Sequence, residues 1–248
     1  MLTKIGNPMA PTSRQIAILK ALVEEYIETA EPVSSDSLDK KYNLGVSPAT
    51  IRNEMATLTK EGFIKKPHVS AGRVPTSMGL KFYIQNLLET KPVPVTQEVT
   101  VKERVWDHRQ ELNKLIQEAT SELARLTGSM AIALSPNQEF NWSGVANILD
   151  FPEFWDIDLA HALLSLLDNP SFWQKLTDQV HGEARVSVLL GDDFGNEILE
   201  PCGFIFTRFN INSKEYVLGI VGPGRCPYQK VIPLIDYFGR LISEIGQG

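Results

Sequence analysis

The first clear pattern along the chain is helical. Ile16, Leu19, Val23 and Tyr26 recur at i, i+3, i+7 and i+10, one face of a helix. Thr12-Ser13-Arg14-Gln15 fits a capping box ahead of it, and Glu31-Pro32 ends it. Ser34 or Ser35 starts a second, short helix that runs through Leu38 to about Tyr42. Asn43-Leu44-Gly45-Val46 reads as a turn. Ser47 at the N-cap and Pro48 at the first helical position open a third helix, which Gly62 closes. On that helix Ile51, Met55 and Leu58 face inward, while Ala49, Asn53, Ala56 and Lys60 point the opposite way, flanked by Thr50, Arg52 and Thr57. FIKKP (63–67) and the segment to Val74 pair as a β-hairpin, with His68-Val69-Ser70-Ala71-Gly72-Arg73 at its tip. Thr76 caps a further helix whose Met78, Phe82, Leu87 and Leu88 are available for packing. Two short helices joined by a tight turn, followed at once by a hairpin, predict a winged helix-turn-helix domain over residues 1–90.

The remainder changes character. KPVPVTQEV (91–99), with two prolines and no amphipathic pattern, predicts a linker. Residues 98–127 read as one long helix carrying Val105, Leu112, Ile116, Ala119, Leu123 and Leu126, with the charged Arg109 in one slot of the stripe. Such a stripe serves a core or a dimer interface equally well. MAIAL (130–134) predicts a buried strand, and 142–176 two helical stretches split at Asp168-Asn169-Pro170. Strands follow at 185–191, 203–210 and 214–225, then a helix from Tyr228 to Ile245. Its apolar side carries Val231, Leu234, Ile235, Phe238, Leu241, Ile242 and Ile245. Helix, strands, helix predicts an α+β sheet domain of the GAF-like or profilin-like kind over residues 100–248.

Composition, with 43% hydrophobic and 22% charged residues, excludes wholesale disorder, collagen and a coiled-coil rod. The net charge of −6 argues at first against a nucleic-acid partner. It hides an asymmetry: residues 1–90 sum to +2, residues 91–248 to −8, and the stretch 41–83 to +5. The basic groups fall on the third helix and the hairpin. A helix face of small residues with one Asn and flanking cations suits a major groove, because alanines let the backbone approach, Asn pairs with adenine, and Arg takes guanine or phosphate. Candidate DNA contacts are therefore Ser47, Ala49, Thr50, Arg52, Asn53 and Lys60 on the helix. Lys65, Lys66, His68, Ser70 and Arg73 join them on the hairpin, beside phosphates or in a minor groove. The competing reading is an ordinary solvated face and a basic loop.

No catalytic pattern emerges. His68, His108, His161 and His181 stand far apart, and none has zinc-helix spacing. Cys202 and Cys226 form no C-x-x-C pair and read as buried thiols. Asp192, Asp193, Glu197 and Glu200 read as a solvated turn. Gly222-Pro223-Gly224-Arg225 is too short for a phosphate loop. No enzyme activity, cofactor or metal is expected. MLTKIGNPMAP lacks a signal-peptide core and no window is long and apolar enough for a membrane span, so a cytoplasmic protein is expected.

TSRQIAILKALVEEYIETAEPVSS, VSPATIRNEMATLTKEGFI and PHVSAGRVPTSMGLKFYI together resemble the bacterial heat-inducible transcription repressor family, HrcA. ELARLTGSMAIALSP, GVANILDFPEFWD and YVLGIVGPGRCPYQKVIPLIDYFGRLI extend the resemblance through the second half. The resemblance implies a repressor on the inverted-repeat operator of chaperone genes, and a dependence on the GroE chaperonin. Two-fold operators imply a homodimer. Family members continue for many tens of residues after the segment matching Ser135-Pro136, with an insertion associated with dimerisation. Here only Asn137 to Ser143 intervene, so the chain is a shortened member whose dimer mode is open. The alternative is a ligand-responsive winged-helix regulator whose GAF-like domain senses a small molecule. Phe140, Trp142, Phe151, Phe154, Trp155, Phe172 and Trp173 crowd one region, either as a packed aromatic core or as a marginal, chaperone-dependent one.

Overall fold

Local capping chemistry sets the first helices. Residues 11–69, 71–136, 139–180 and 184–247 are described by the computed structural model. The N-terminal segment MLTKIGNPMA, Ser70 and His181 lie outside the described residues. Helix α1 (Ser13–Thr29) begins at a complete Thr12/Gln15 capping box and ends at Ala30, which takes φ +60°. Helix α2 (Ser35–Lys41) starts at Ser34, which resolves the choice between the two serines. Helix α3 (Pro48–Lys60) has Ser47 accepting the Thr50 N–H and buries Ile51, Met55 and Leu58. Strands β1 (Ile64–Lys65) and β2 (Val74–Pro75) pair antiparallel, and α4 (Ser77–Asn86) is capped by Thr76.

Two packing expectations shift. On α1 the fully buried residues are Ile18, Leu19, Leu22 and Val23, while Ile16 and Tyr26 are half-buried. The buried face is broader than a single stripe because α3, α4 and β2 all rest on α1. On α4, Leu80 and Tyr83 are buried and Met78 is exposed. Gly79 allows this: a Cβ there would lie 2.1 Å from the Phe63 carbonyl oxygen, so the helix sits directly on the backbone beside β1.

The chain divides into two compact units, Met1–Leu88 and Glu89–Gly248. In the second, helix α5 (Val95–Trp106) starts inside the stretch expected to be a linker, so the extended segment is only 88–94. A separate helix α6 (Leu112–Thr127) follows. The single long helix expected over 98–127 is thus corrected. It breaks at 107–110, where Asp107, His108, Arg109 and Gln110 would have carried a charge into the apolar stripe. After the break the buried face is Leu115, Ile116, Ala119 and Leu123, packed within the monomer. Arg104 of α5 reaches the buried Glu122 of α6 at 3.2 Å, and Arg125 donates to the same carboxylate at 2.8 Å.

Strand β3 (Met130–Leu134) turns into β4 (Phe140–Ser143), an unexpected strand. The region beyond is also more broken than two helices: 3-10 turns at Val145–Asp150 and Pro152–Trp155 precede α7 (Ile157–Ser165) and α8 (Pro170–Asp178). Gly144 at φ +67° and Pro152 interrupt the apolar pattern there. Strands β5 (Val186–Leu190), β6 (Cys202–Ile211) and β7 (Lys214–Pro223) lead to α9 (Tyr228–Gly246). The sheet is antiparallel throughout, in the order β4-β3-β7-β6-β5.

One sheet face carries Met130, Ile132, Leu134, Phe204, Phe206 and Val221 against α7, α8 and the 3-10 turns. The other face is covered by α6 and α9. Gly239 brings α9 so close to β6 that a Cβ would lie 2.7 Å from the Thr207 methyl. Pro233 inside α9 cannot donate to the Gln229 carbonyl. The Lys91 N–H takes that acceptor at 3.0 Å and ties the extended segment to the helix.

Candidate nucleic-acid interface

The candidate site grows from the α2–α3 turn. Gly45 at φ +67° makes the turn. Tyr42, at the end of α2, donates to Glu25 at 3.2 Å, and Lys41 reaches the same carboxylate at 2.6 Å, so α2 is pinned to α1. Burial, and the Glu25 charge after it, push the Tyr42 phenol up to about 12, which keeps it a donor at neutral pH. Against this fixed pair, α3 presents Ala49, Arg52, Asn53, Ala56 and Lys60 outward, all exposed, with Thr50 and Thr57 half-buried at the sides. Ser47 is exposed, and its hydroxyl is shared with Thr50 at 3.0 Å. The Asn53 side chain makes no hydrogen bond among the described residues, and Arg52 has only a loose, solvent-exposed pair with Asp36 at 3.8 Å.

The hairpin residues divide in role. Lys66 and His68 are exposed and Lys65 is half-buried. Lys66 donates to the Val69 carbonyl at 2.6 Å and so also shapes the loop. Arg73 turns inward. Its Nε donates to the Thr59 hydroxyl at 3.0 Å, and its backbone pairs both ways with Val33 at 2.8 Å. Arg73 therefore braces the end of α3 against the segment before α2. Composition had marked it only as a cation. The neighbouring Gly72 explains why the bridge forms, because a Cβ there would lie 2.4 Å from the Val33 carbonyl oxygen. Gly72→Ala is expected to break the Val33–Arg73 bridge at a cost of about 1–3 kcal/mol. Amide exchange at Val33 and Arg73 checks it: both N–H groups are hydrogen-bonded and should be protected in the parent, and unchanged protection in the variant would refute the steric account.

Ser34 and Asp36, at the start of α2, were not anticipated at this site. They line a concavity of about 240 Å³ together with Arg52, Met55, Lys66 and Arg73. No local motif marks that concavity, since it forms only once three separate elements fold together.

The thiols of the second unit are buried: desolvation pushes Cys202 up to about 12 and Cys226 well above its ordinary value, so both stay protonated at neutral pH. Among the described residues no group of His, Cys, Asp and Glu could hold a metal ion, and no helix is long and apolar enough to cross a membrane.

Comparison with known proteins places this architecture. The family model described as HrcA protein C terminal domain matches residues 80–232. The heat-inducible transcription repressor HrcA of Roseiflexus castenholzii is 39% identical over 337 aligned positions, covering 94% of each chain. The repressor of the same name from Desulforudis audaxviator is 24% identical over 338 positions, covering 96% of this chain and 98% of that one. An alignment of 338 positions against 248 residues leaves at least 90 positions of the relative without a counterpart here. Among solved structures, the crystal structure of a hypothetical protein shares the fold with a TM-score of 0.76 at 20% identity, covering 95% of this chain and 98% of that one. By family model and by full-length similarity, this chain is a shortened member of the HrcA family of heat-inducible transcription repressors.

Proposed function

We propose that the protein is a sequence-specific, DNA-binding transcription repressor. In this reading α1 to α3 with the β1–β2 hairpin form a winged helix-turn-helix, α3 lies in a major groove and the hairpin is its wing. The observation that carries it is the outward face of α3: Ala49, Asn53 and Ala56 beside Arg52 and Lys60, all exposed, continued by exposed lysine and histidine on the hairpin. A solvated helix face has no need for so many small residues beside cations, whereas a groove-reading helix does. The family's name supports repression and heat induction. The same membership supports the operator of chaperone genes as target and chaperonin as a modulator.

Two copies would occupy an inverted repeat, with half-sites about 34–36 Å apart on one face of the duplex. The second unit, with its antiparallel sheet between two helical layers, is the GAF-like part and the place for subunit association. Gel-shift with an inverted-repeat chaperone-promoter operator tests the reading directly, and equal affinity for a scrambled duplex would reject it. Lys65→Ala combined with Lys66→Ala is expected to weaken binding to operator and random DNA alike. The slope of log K against log salt should flatten by about two. A slope that stays the same would show that neither lysine meets the phosphate backbone.

A further inference from the structure

The described part of the second unit holds a small cavity of about 160 Å³ at the end of the sheet where β6 and β7 carry their glycines. Its apolar walls are Phe151, Leu190, Ile205, Ile220, Pro223 and Tyr228. No charged side chain lines it. Apolar cavities of about 150 Å³ stay dry and accept a benzene ring.

Two features inside the cavity have no explanation in the fold alone. The first is Gly222, which pairs with Gly203 across β7 and β6. A Cβ on Gly203 would meet the Gly224 Cα and the Leu190 side chain at 3.1 Å, so packing accounts for that glycine. A Cβ on Gly222 would meet nothing closer than the Ser129 hydroxyl at 3.9 Å, and its φ is not in the left-handed region. Glycine within a strand costs stability and commonly marks close approach of a ligand or another backbone. Here no backbone among the described residues fills the space. The second feature is Ser129, which is 6% exposed. Its hydroxyl makes one long hydrogen bond among the described residues, 3.5 Å to the Thr127 carbonyl, and faces the same empty space beside Gly222. A buried hydroxyl so weakly engaged has hydrogen-bonding capacity to spare.

We propose that this cavity is a binding site for a small, neutral, single-ring molecule, with its ring over Gly222 and one polar atom on the Ser129 hydroxyl. The absence of charge in the walls selects against carboxylates and amines, whose desolvation nothing would offset. The volume limits the ligand to about one substituted ring. The thiol of Cys226 borders the site and stays protonated, so it adds soft surface without charge.

The test uses the full chain with 4-fluorophenol followed by fluorine NMR, and toluene and benzoate as comparison compounds. 4-Fluorophenol should bind saturably with Kd on the order of 0.1–1 mM, toluene more weakly and benzoate not at all. Gly222→Ala places a methyl in the free space. It should weaken 4-fluorophenol at least about tenfold, while raising the thermal midpoint of the ligand-free protein by about 2–4 °C through partial filling of the cavity and loss of a strand glycine. Ser129→Ala should bring 4-fluorophenol down to the toluene level and leave toluene unchanged. The proposal is overturned if no compound binds saturably at millimolar concentration. It is equally overturned if 4-fluorophenol binds Gly222→Ala as well as the parent, since the ligand would then sit elsewhere.

Discussion

Asn53→Ala is expected to weaken operator binding about 10- to 100-fold and to leave binding to random duplex within about twofold. The magnitude is that of one bidentate base contact, about 1–3 kcal/mol. Position and surroundings both favour such a contact. Asn53 lies midway along the exposed face of α3, between Ala49 and Ala56, whose small side chains hold no bulk against an approaching groove. Its side-chain amide has no partner among the described residues, so binding a base breaks no hydrogen bond within the described fold. The substitution also separates recognition from folding. Alanine is the better helix former by a few tenths of a kcal/mol or more, and Asn53 is exposed, so the variant helix is at least as stable as the parent. Arg52→Ala provides the contrast. Arg52 has only its exposed 3.8 Å pair with Asp36 to lose, and as a phosphate contact its removal should weaken both duplexes together. Anisotropy titrations on operator and scrambled DNA at one salt concentration distinguish the two. Equal losses for Asn53→Ala on both duplexes would show that this residue does not read bases.

What could be read from the sequence was local chemistry. Thr12, Ser34, Ser47 and Thr76 all cap helices as side-chain acceptors, because a cap depends only on residues within three positions. The inward triad of α3 and the apolar side of α9 also follow directly from the 3.6-residue period. The failures share a different cause. Across 98–127 the heptad-like spacing continues through Arg109, yet the chain turns there, because a charge in a buried stripe costs more than a helix break. Strand β4 is four residues long and lies at the sheet edge, half-exposed, so it lacks the run of buried residues that betrays β3. At the candidate interface, spacing alone identifies the exposed helix face. It gives no hint that Arg73 braces Val33 and Thr59, or that Gly72 must lack a side chain, since the Val33 contacts join segments about forty residues apart.

Trp173→Ala should produce the largest loss of stability, and it bears on how heat could release the repressor. Trp173 is fully buried between α8 and the sheet. Its ring lies 5.4 Å from those of Phe172 and Phe204 and 6.4 Å from Phe140, and its indole N–H donates to the Leu166 carbonyl at 2.9 Å. Truncation empties the centre of this cluster and removes the indole hydrogen bond, leaving the Leu166 carbonyl with the Asn169 N–H alone, at a cost of about 3–5 kcal/mol. For a unit of this size that is a fall of roughly 6–20 °C in thermal midpoint, read by near-ultraviolet circular dichroism. Trp155 is the control: it is 70% exposed, so Trp155→Ala should cost no more than about 1 kcal/mol. The aromatic-rich region thus separates into a packed core, with Phe154, Trp173, Phe204 and Phe206 buried, and an exposed fringe of Trp142, Trp155 and Ile157. If melting of that core is the event that ends repression, the temperature at which operator binding is lost must drop in Trp173→Ala by the same interval as the midpoint, and stay put in Trp155→Ala. Operator binding that outlasts the melt in Trp173→Ala would place the heat-sensitive element outside the aromatic core.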